Sequence, residues 1–138
     1  MTERTFVMLK PSAVERGLIG EIISRFERKG LRLVAMKALT LSRAQAEELY
    51  SVHRGKHFYE ELVNRMSGRR VVVMVLEGRS AVSVVRKLTG ATDPVNAEPG
   101  TIRGDLGLDL TDNLVHASDS AESFSRECSI FFSTSELT

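Results

Sequence analysis

A chain of 138 residues with 42% hydrophobic and 27% charged side chains has the size and balance of one globular domain, able to bury roughly two-thirds of its unfolded surface. A net charge of +1 supplies no bulk field for nucleic acid or an anionic membrane, and the longest apolar run, residues 71–76, is far too short to cross a bilayer. The single cysteine, Cys128, excludes an internal disulfide, and Met1-Thr2-Glu3-Arg4 leads into a strand-like segment rather than an apolar leader, so a cytoplasmic setting is expected.

In chain order, residues 5–10 (TFVMLK) read as a strand stopped by Pro11. Residues 18–29 read as a helix with Ile19, Ile22, Ile23 and Phe26 on one stripe and Gly30 as its stop. A second strand follows over 31–39. Ser42-Arg43-Ala44-Gln45 fits a capping box, which predicts a helix over 43–50. A break at Arg54-Gly55-Lys56 precedes helical residues 59–66, ended by Ser67-Gly68. Residues 71–76 are β-rich and continuously apolar, as a central strand should be. Ser80 is the expected cap of a helix over 81–88, with Val84, Val85 and Leu88 inward. Residues 89–112 carry Gly90, Pro94, Pro99, Gly100, Gly104 and Gly107 with little periodicity, so they are expected to be a functional loop holding a short helix. The last strand is expected over 114–116 and the last helix over 121–128. Without the extra helices the order is β-α-β-β-α-β. That predicts an α+β fold, a ferredoxin-like α/β sandwich on a four-stranded antiparallel sheet, as a single domain over 1–138.

The chemistry concentrates near the C-terminal strand. His116 follows two apolar residues, Leu114 and Val115, and precedes three good helix caps, Ser118, Asp119 and Ser120. An imidazole of ordinary pKa, near ~6.5, is mostly neutral at pH 7 and able to act as a nucleophile. A core histidine bonded to a backbone carbonyl is the competing reading, of about even weight. Glu127 on the following helix is placed to turn back and fix the ring. Arg103, inside the glycine-flanked Pro99-Gly100-Thr101-Ile102-Arg103-Gly104-Asp105, and Arg86 have the fork geometry that grips phosphate. Lys10, at a strand end, can project into a cleft. Taken singly, such arginines and lysines are more often solvated surface. Neither a GxxxxGK[ST] loop nor a GxGxxG fingerprint occurs, so a nucleotide site here would be built from side chains. His53 and His57 are four apart, but HExxH is missing and Gly55 weakens a helix between them, which argues against a metal site. Cys128, flanked by Glu127, reads as a core cysteine.

Together these segments resemble the nucleoside diphosphate kinase family over essentially the whole chain. The most specific are residues 99–105 and Asn113-Leu114-Val115-His116-Ala117-Ser118-Asp119-Ser120, at the family's spacing. Leu9-Lys10-Pro11, residues 16–22 (RGLIGEI) and Gly90-Ala91-Thr92-Asp93-Pro94 add to them. The resemblance implies a ping-pong transfer in which a nucleoside triphosphate gives its γ-phosphoryl to Nδ1 of His116 and a nucleoside diphosphate takes it. It implies that Glu127 orients the ring and Ser118 sits beside it. Lys10 would contact the moving phosphoryl, supported by a hydrogen bond from Tyr50. Arg86, Thr92 and Arg103 would hold the diphosphate, Asn113 the ribose 3′ hydroxyl, and Phe58 and Leu110 would sandwich the base. Mg²⁺ would ride on the phosphates, base discrimination would be weak, and the assembly would be a homo-oligomer, a hexamer before a tetramer. No membrane and no obligate nucleic acid are implied.

Five positions depart from the family's usual pattern: Ala117 where glycine is commoner, Ser12 for the aspartate after Lys-Pro, Arg69 and Arg70 for Gly-Pro, and His57 for the proline before Phe58. A non-catalytic nucleotide- or nucleic-acid-binding module on the same sheet is the main alternative. The lack of stacking aromatics in residues 71–76 and the near-neutral charge weigh against it. A protein-histidine phosphocarrier is a third reading.

Overall fold

The computed structural model describes residues 2–137. In chain order the elements are β1 (Thr2–Leu9), α1 (Pro11–Glu15), α2 (Ile19–Lys29), β2 (Arg32–Thr40), α3 (Arg43–Leu49), α4 (Tyr59–Met66), β3 (Arg70–Arg79), α5 (Ala81–Thr89), α6 (Ile102–Leu106), β4 (Val115–Ala117) and α7 (Ala121–Phe131). Short 3₁₀ turns cover Ser51–His53, Pro94–Asn96 and Thr134–Leu137. The four strands form one sheet in the order β2-β3-β1-β4, and every neighbouring pair is antiparallel. With α2 and α5 as the crossovers, this is the α+β, β-α-β-β-α-β arrangement expected from the sequence.

Strand alternation divides the core between the two faces of the sheet. Phe6, Met8, Val71, Val73 and Val75 point to the face covered by α3, α4 and α7, where Leu49, Val63, Met66 and Phe131 complete one cluster. Val7, Leu9, Val72, Met74 and Leu76 point to the other face, filled by Ile22, Phe26, Val85 and Ile102. A strand covered on both sides has no solvent face to make polar, which is why residues 71–76 are apolar without interruption.

Several boundaries differ from expectation. Strands β1 and β3 run longer than their apolar patterns, because Thr2–Arg4 pair with Glu77–Arg79 through polar and charged residues. Pro11 ends β1 and also opens α1, a five-residue helix the sequence reading did not contain. The capping box is present: Ser42 Oγ accepts from the Gln45 N–H, and Gln45 Oε1 accepts from the Ser42 N–H. Ser80 is not the side-chain cap expected. It sits at φ 52° with no cap bond, and the Glu3 carboxylate accepts the Val82 N–H at 2.9 Å instead. The segment from 89 to 112 holds α6 and a 3₁₀ turn, and α7 continues three residues past Cys128.

Candidate active site

Strand β4 places His116. It pairs with Val7, Met8 and Leu9 of β1, with His116 opposite Met8, so the imidazole projects to the α7 face while Val115 and Ala117 face the other core. Phe6 lies beneath it, ring centroids 6.2 Å apart, and Tyr50 meets it edge-on at 6.0 Å. Leu114, just before β4, takes the left-handed conformation at φ 75° with its side chain fully buried. That turn separates Asn113, which lines the cavity, from Val115, which enters the sheet. Ser120 caps α7 by accepting the Ser123 N–H, and one helical stretch later Glu127 comes back against the histidine.

Glu127 is only 3% exposed and is held on both oxygens. Oε1 accepts the Ser118 hydroxyl at 2.7 Å and lies 3.0 Å from His116 Nε2. This oxygen stands off the axis of the Nε2–H bond, so the pair is a close charge-range contact rather than an aligned hydrogen bond. Oε2 receives Arg126 Nη2 at 3.3 Å, while Arg126 Nη1 donates to the Glu48 carbonyl at the end of α3 at 2.8 Å. Sequence reasoning missed Arg126; nothing in its neighbourhood signals that it straps α7 to α3.

His116 opens onto a cavity of about 510 Å³ that also gathers Lys10, Tyr50, Phe58, Arg86, Thr92, Arg103, Leu110, Asn113 and Glu127. Of the expected site residues, Ser118 alone is not in its lining; it is buried behind Glu127. Lys10 caps α1 at the end of β1, and its Nζ donates to the Thr111 carbonyl at 3.1 Å. Burial, with Arg103 next in importance, pushes its ammonium down to about 7, against the opposing pull of Asp112 and Asp109. The expected hydrogen bond from Tyr50 to Lys10 is not made. The Tyr50 hydroxyl is buried without a partner, and Nζ lies 5.9 Å from the ring centroid, over its face. Burial raises the Tyr50 phenol far above its ordinary value, so it stays a neutral wall.

The two arginines differ in freedom. Arg103 is anchored by three backbone carbonyls: Nε donates to Asn113, Nη1 to Gly90 and Nη2 to Val115. A guanidinium has five N–H groups, so two remain for a ligand. Burial, and then Arg86, lower it to about 10. Arg86 is exposed on α5 and makes one long contact, 3.3 Å, to the Ala117 carbonyl. Asn113 donates to the Thr92 carbonyl at 2.8 Å, leaving its Oδ1 buried and unpartnered in the cavity wall. At the mouth, Phe58 and Leu110 are 38% and 57% exposed, apolar surfaces in a polar rim. His53 and His57 share no helix face; Gly55 at φ 86° breaks the chain between them, and both rings flank Phe58 at 5.1 and 5.5 Å. Cys128 is buried, and burial pushes its thiol up, as suits a core cysteine.

Chemically, this is an imidazole backed by a buried carboxylate and faced by one lysine and two arginines, beneath an apolar slot. A model of the family described as nucleoside diphosphate kinase matches residues 3–137. The nucleoside diphosphate kinase of Methanocaldococcus jannaschii is 58% identical over 137 residues, covering 99% of this chain and 98% of that protein. The solved structure of a halophilic nucleoside diphosphate kinase from Halobacterium salinarum in complex with CDP superposes with a TM-score of 0.96 at 46% identity, covering 100% of this chain and 92% of that one. A transition state mimic of the Borrelia burgdorferi enzyme with vanadate and ADP gives 0.92 at 36% identity, covering 99% and 90%. Near these proteins in sequence and shape alike, the chain belongs to the nucleoside diphosphate kinase family of phosphotransferases.

Proposed function

We infer that the reaction is a ping-pong phosphoryl transfer through His116. The observation that carries this reading is the burial of Nε2 against Glu127, which leaves Nδ1 as the ring nitrogen open to a substrate. In the first half-reaction Nδ1 attacks the γ-phosphorus of a nucleoside triphosphate. The N–P bond forms as the bond to the β-bridging oxygen breaks, and the diphosphate leaves. A second nucleoside diphosphate then reverses these steps. Such a transition state needs positioning and charge more than covalent machinery. Lys10 meets the moving phosphoryl, Arg86, Thr92 and the two free N–H groups of Arg103 hold the diphosphate, and Asn113 Oδ1 accepts from the ribose 3′ hydroxyl. Glu127, steadied by Ser118, holds the ring, and Tyr50 walls it. The vanadate and ADP held by the Borrelia burgdorferi relative support a phosphoryl group in flight at such a site.

A base between Phe58 and Leu110 meets apolar surface and no fixed donor or acceptor pattern, so discrimination between bases is weak. The lining suits Mg²⁺ carried on the phosphates. No cluster of three metal-ligating side chains exists among the described residues, and the cavity's carboxylates are Asp119, paired with Ser123, and Glu127, already engaged. The metal would neutralise phosphate charge while keeping most of its waters. One domain over 1–138 carries this activity, in a homo-oligomer, hexamer before tetramer, acting on nucleoside tri- and diphosphates in the cytoplasm.

Incubation with ATP labelled at the γ-phosphorus tests the reading. An acid-labile label on His116 is expected, with loss of both label and exchange in His116→Gln. Full exchange by that variant overturns the assignment.

A further inference from the structure

Two of the positions that depart from the family's usual pattern, Ser12 and Arg69, meet on one buried carboxylate. Asp112 is 6% exposed. Its Oδ1 accepts the Ser12 hydroxyl at 2.6 Å, and the Ser12 N–H points at both of its oxygens, at 3.3 and 3.2 Å. Arg69 Nη1 stands 3.5 Å from Oδ2, and Arg69 Nη2 continues to Glu15 at 2.8 Å. The start of α1, the residue preceding β3 and the loop before β4 are joined at this point. The other end of that loop is held by Asp109, which accepts the Thr111 N–H at 2.8 Å and pairs with Arg65 at 2.6 Å. Between these anchors lies Thr111, whose carbonyl receives Lys10 Nζ.

We propose that Asp112 is a positioning residue for phosphoryl transfer: clamped by Ser12 and Arg69, it holds the Thr111 carbonyl against Lys10, the group that meets the moving phosphoryl. The proposal rests on the reading that Lys10 meets the moving phosphoryl. Arg103 and Arg65 oppose the proton of Lys10, Asp112 and Asp109 favour it, and Tyr50 offers an aromatic face. His53, Arg86, His116 and Glu127 line the same cavity, and His53 feels the charge of Lys10 in turn. Burial is the largest influence and works against the charge. A lysine so balanced responds strongly to the loss of one carboxylate, and a neutral amine no longer offsets phosphate charge. The clamp therefore works twice: its hydrogen bonds fix the loop, and its charge tunes the lysine.

The test compares Asp112→Asn, Ser12→Ala and Lys10→Met with the unaltered chain. It reads kcat/KM for nucleoside diphosphate phosphorylation over about pH 6 to 10 and follows the Lys10 side-chain NMR signal. In Asp112→Asn, the alkaline limb of the rate and the Lys10 titration should both move down by roughly half to one pH unit. Ser12→Ala keeps the charge and loosens the loop, so KM should rise several-fold with the limb unmoved. An unmoved limb and titration in Asp112→Asn, with turnover abolished in Lys10→Met, overturn the proposal. Full turnover in Lys10→Met overturns the reading beneath it. If Asp112→Asn does not fold, an unchanged KM in Ser12→Ala overturns the clamp.

Discussion

A lysine held at 6% exposure keeps its proton only while anions are near, and this gives Lys10 a measurable signature without catalysis. Its ammonium titrates near 7 in the folded protein and near ~10.4 in the unfolded chain. Between those values the unfolded state binds the extra proton, so the Lys10 contribution to stability rises with pH through that window and is least favourable below about 7. Denaturant titrations at about pH 6.5, 8 and 9.5 should show this rise in the unaltered chain and its absence in Lys10→Met, which should also be the more stable protein at the lowest pH. Nucleotide phosphates reverse the balance. Binding near pH 8 should take up a proton, visible by calorimetry in buffers of different ionisation enthalpy and missing in Lys10→Met. Equal proton uptake by both proteins would assign it to another group.

At the scale of the element, α6 is what turns the glycine-rich stretch into a phosphate grip. Thr101 caps this five-residue helix by accepting the Gly104 N–H at 3.0 Å, while its own hydroxyl donates to the Glu98 carbonyl at 2.6 Å. A Cβ at Gly104 would stand 1.9 Å from that carbonyl oxygen, and one at Gly90, itself at φ 93°, would stand 2.5 Å from the Thr101 hydroxyl. Gly104→Ala must therefore displace backbone. A loss of about 1–3 kcal/mol is expected, with weaker nucleoside diphosphate binding because Arg103 shifts with the helix. Gly20→Ala, in α2 with open space around its Cβ, should instead gain up to ~1 kcal/mol and leave binding alone. Thermal unfolding and equilibrium binding distinguish the two. The glycines themselves were legible as marks of a functional loop. Their reason was not, because it is the approach of Glu98, set by how the loop folds back. The same limit hid α1, whose five residues are too few to show a 3.6-residue period, and misread Ser80, where the capping group arrives from Glu3 on β1. It also misplaced the Tyr50 hydroxyl. Tyr50 does face the site, but the distance between its oxygen and Lys10 depends on how α3 meets β1, which no local pattern encodes.

For the whole molecule, the sheet is both the core and the floor of the site. Its order was legible because two long crossovers and one continuous apolar strand leave few arrangements. The two-sided burial was less so, since α3, α4 and α7 read as added helices and in fact cover an entire face. Phe6 joins the two functions. It is fully buried on β1, stacks on Phe131 of α7 with centroids 5.5 Å apart, and underlies His116. Phe26 is equally buried on the opposite face, in the cluster that α2 and α5 complete. Truncation of either ring to alanine should cost about 3–5 kcal/mol, a large part of the roughly 5–15 kcal/mol that holds such a domain folded. The two losses should differ in kind. Phe6→Ala removes the surface beneath the imidazole and the ring that fixes α7, and so lets His116 and Glu127 move independently. Phe26→Ala leaves both where they are. With each variant assayed well below its own unfolding transition, kcat should fall at least tenfold in Phe6→Ala and stay near the unaltered value in Phe26→Ala, a loss of about 1.4 kcal/mol in transition-state stabilisation confined to one face. Equal kcat values in the two variants would mean that Glu127, Ser118 and Arg126 hold the histidine without help from the sheet below.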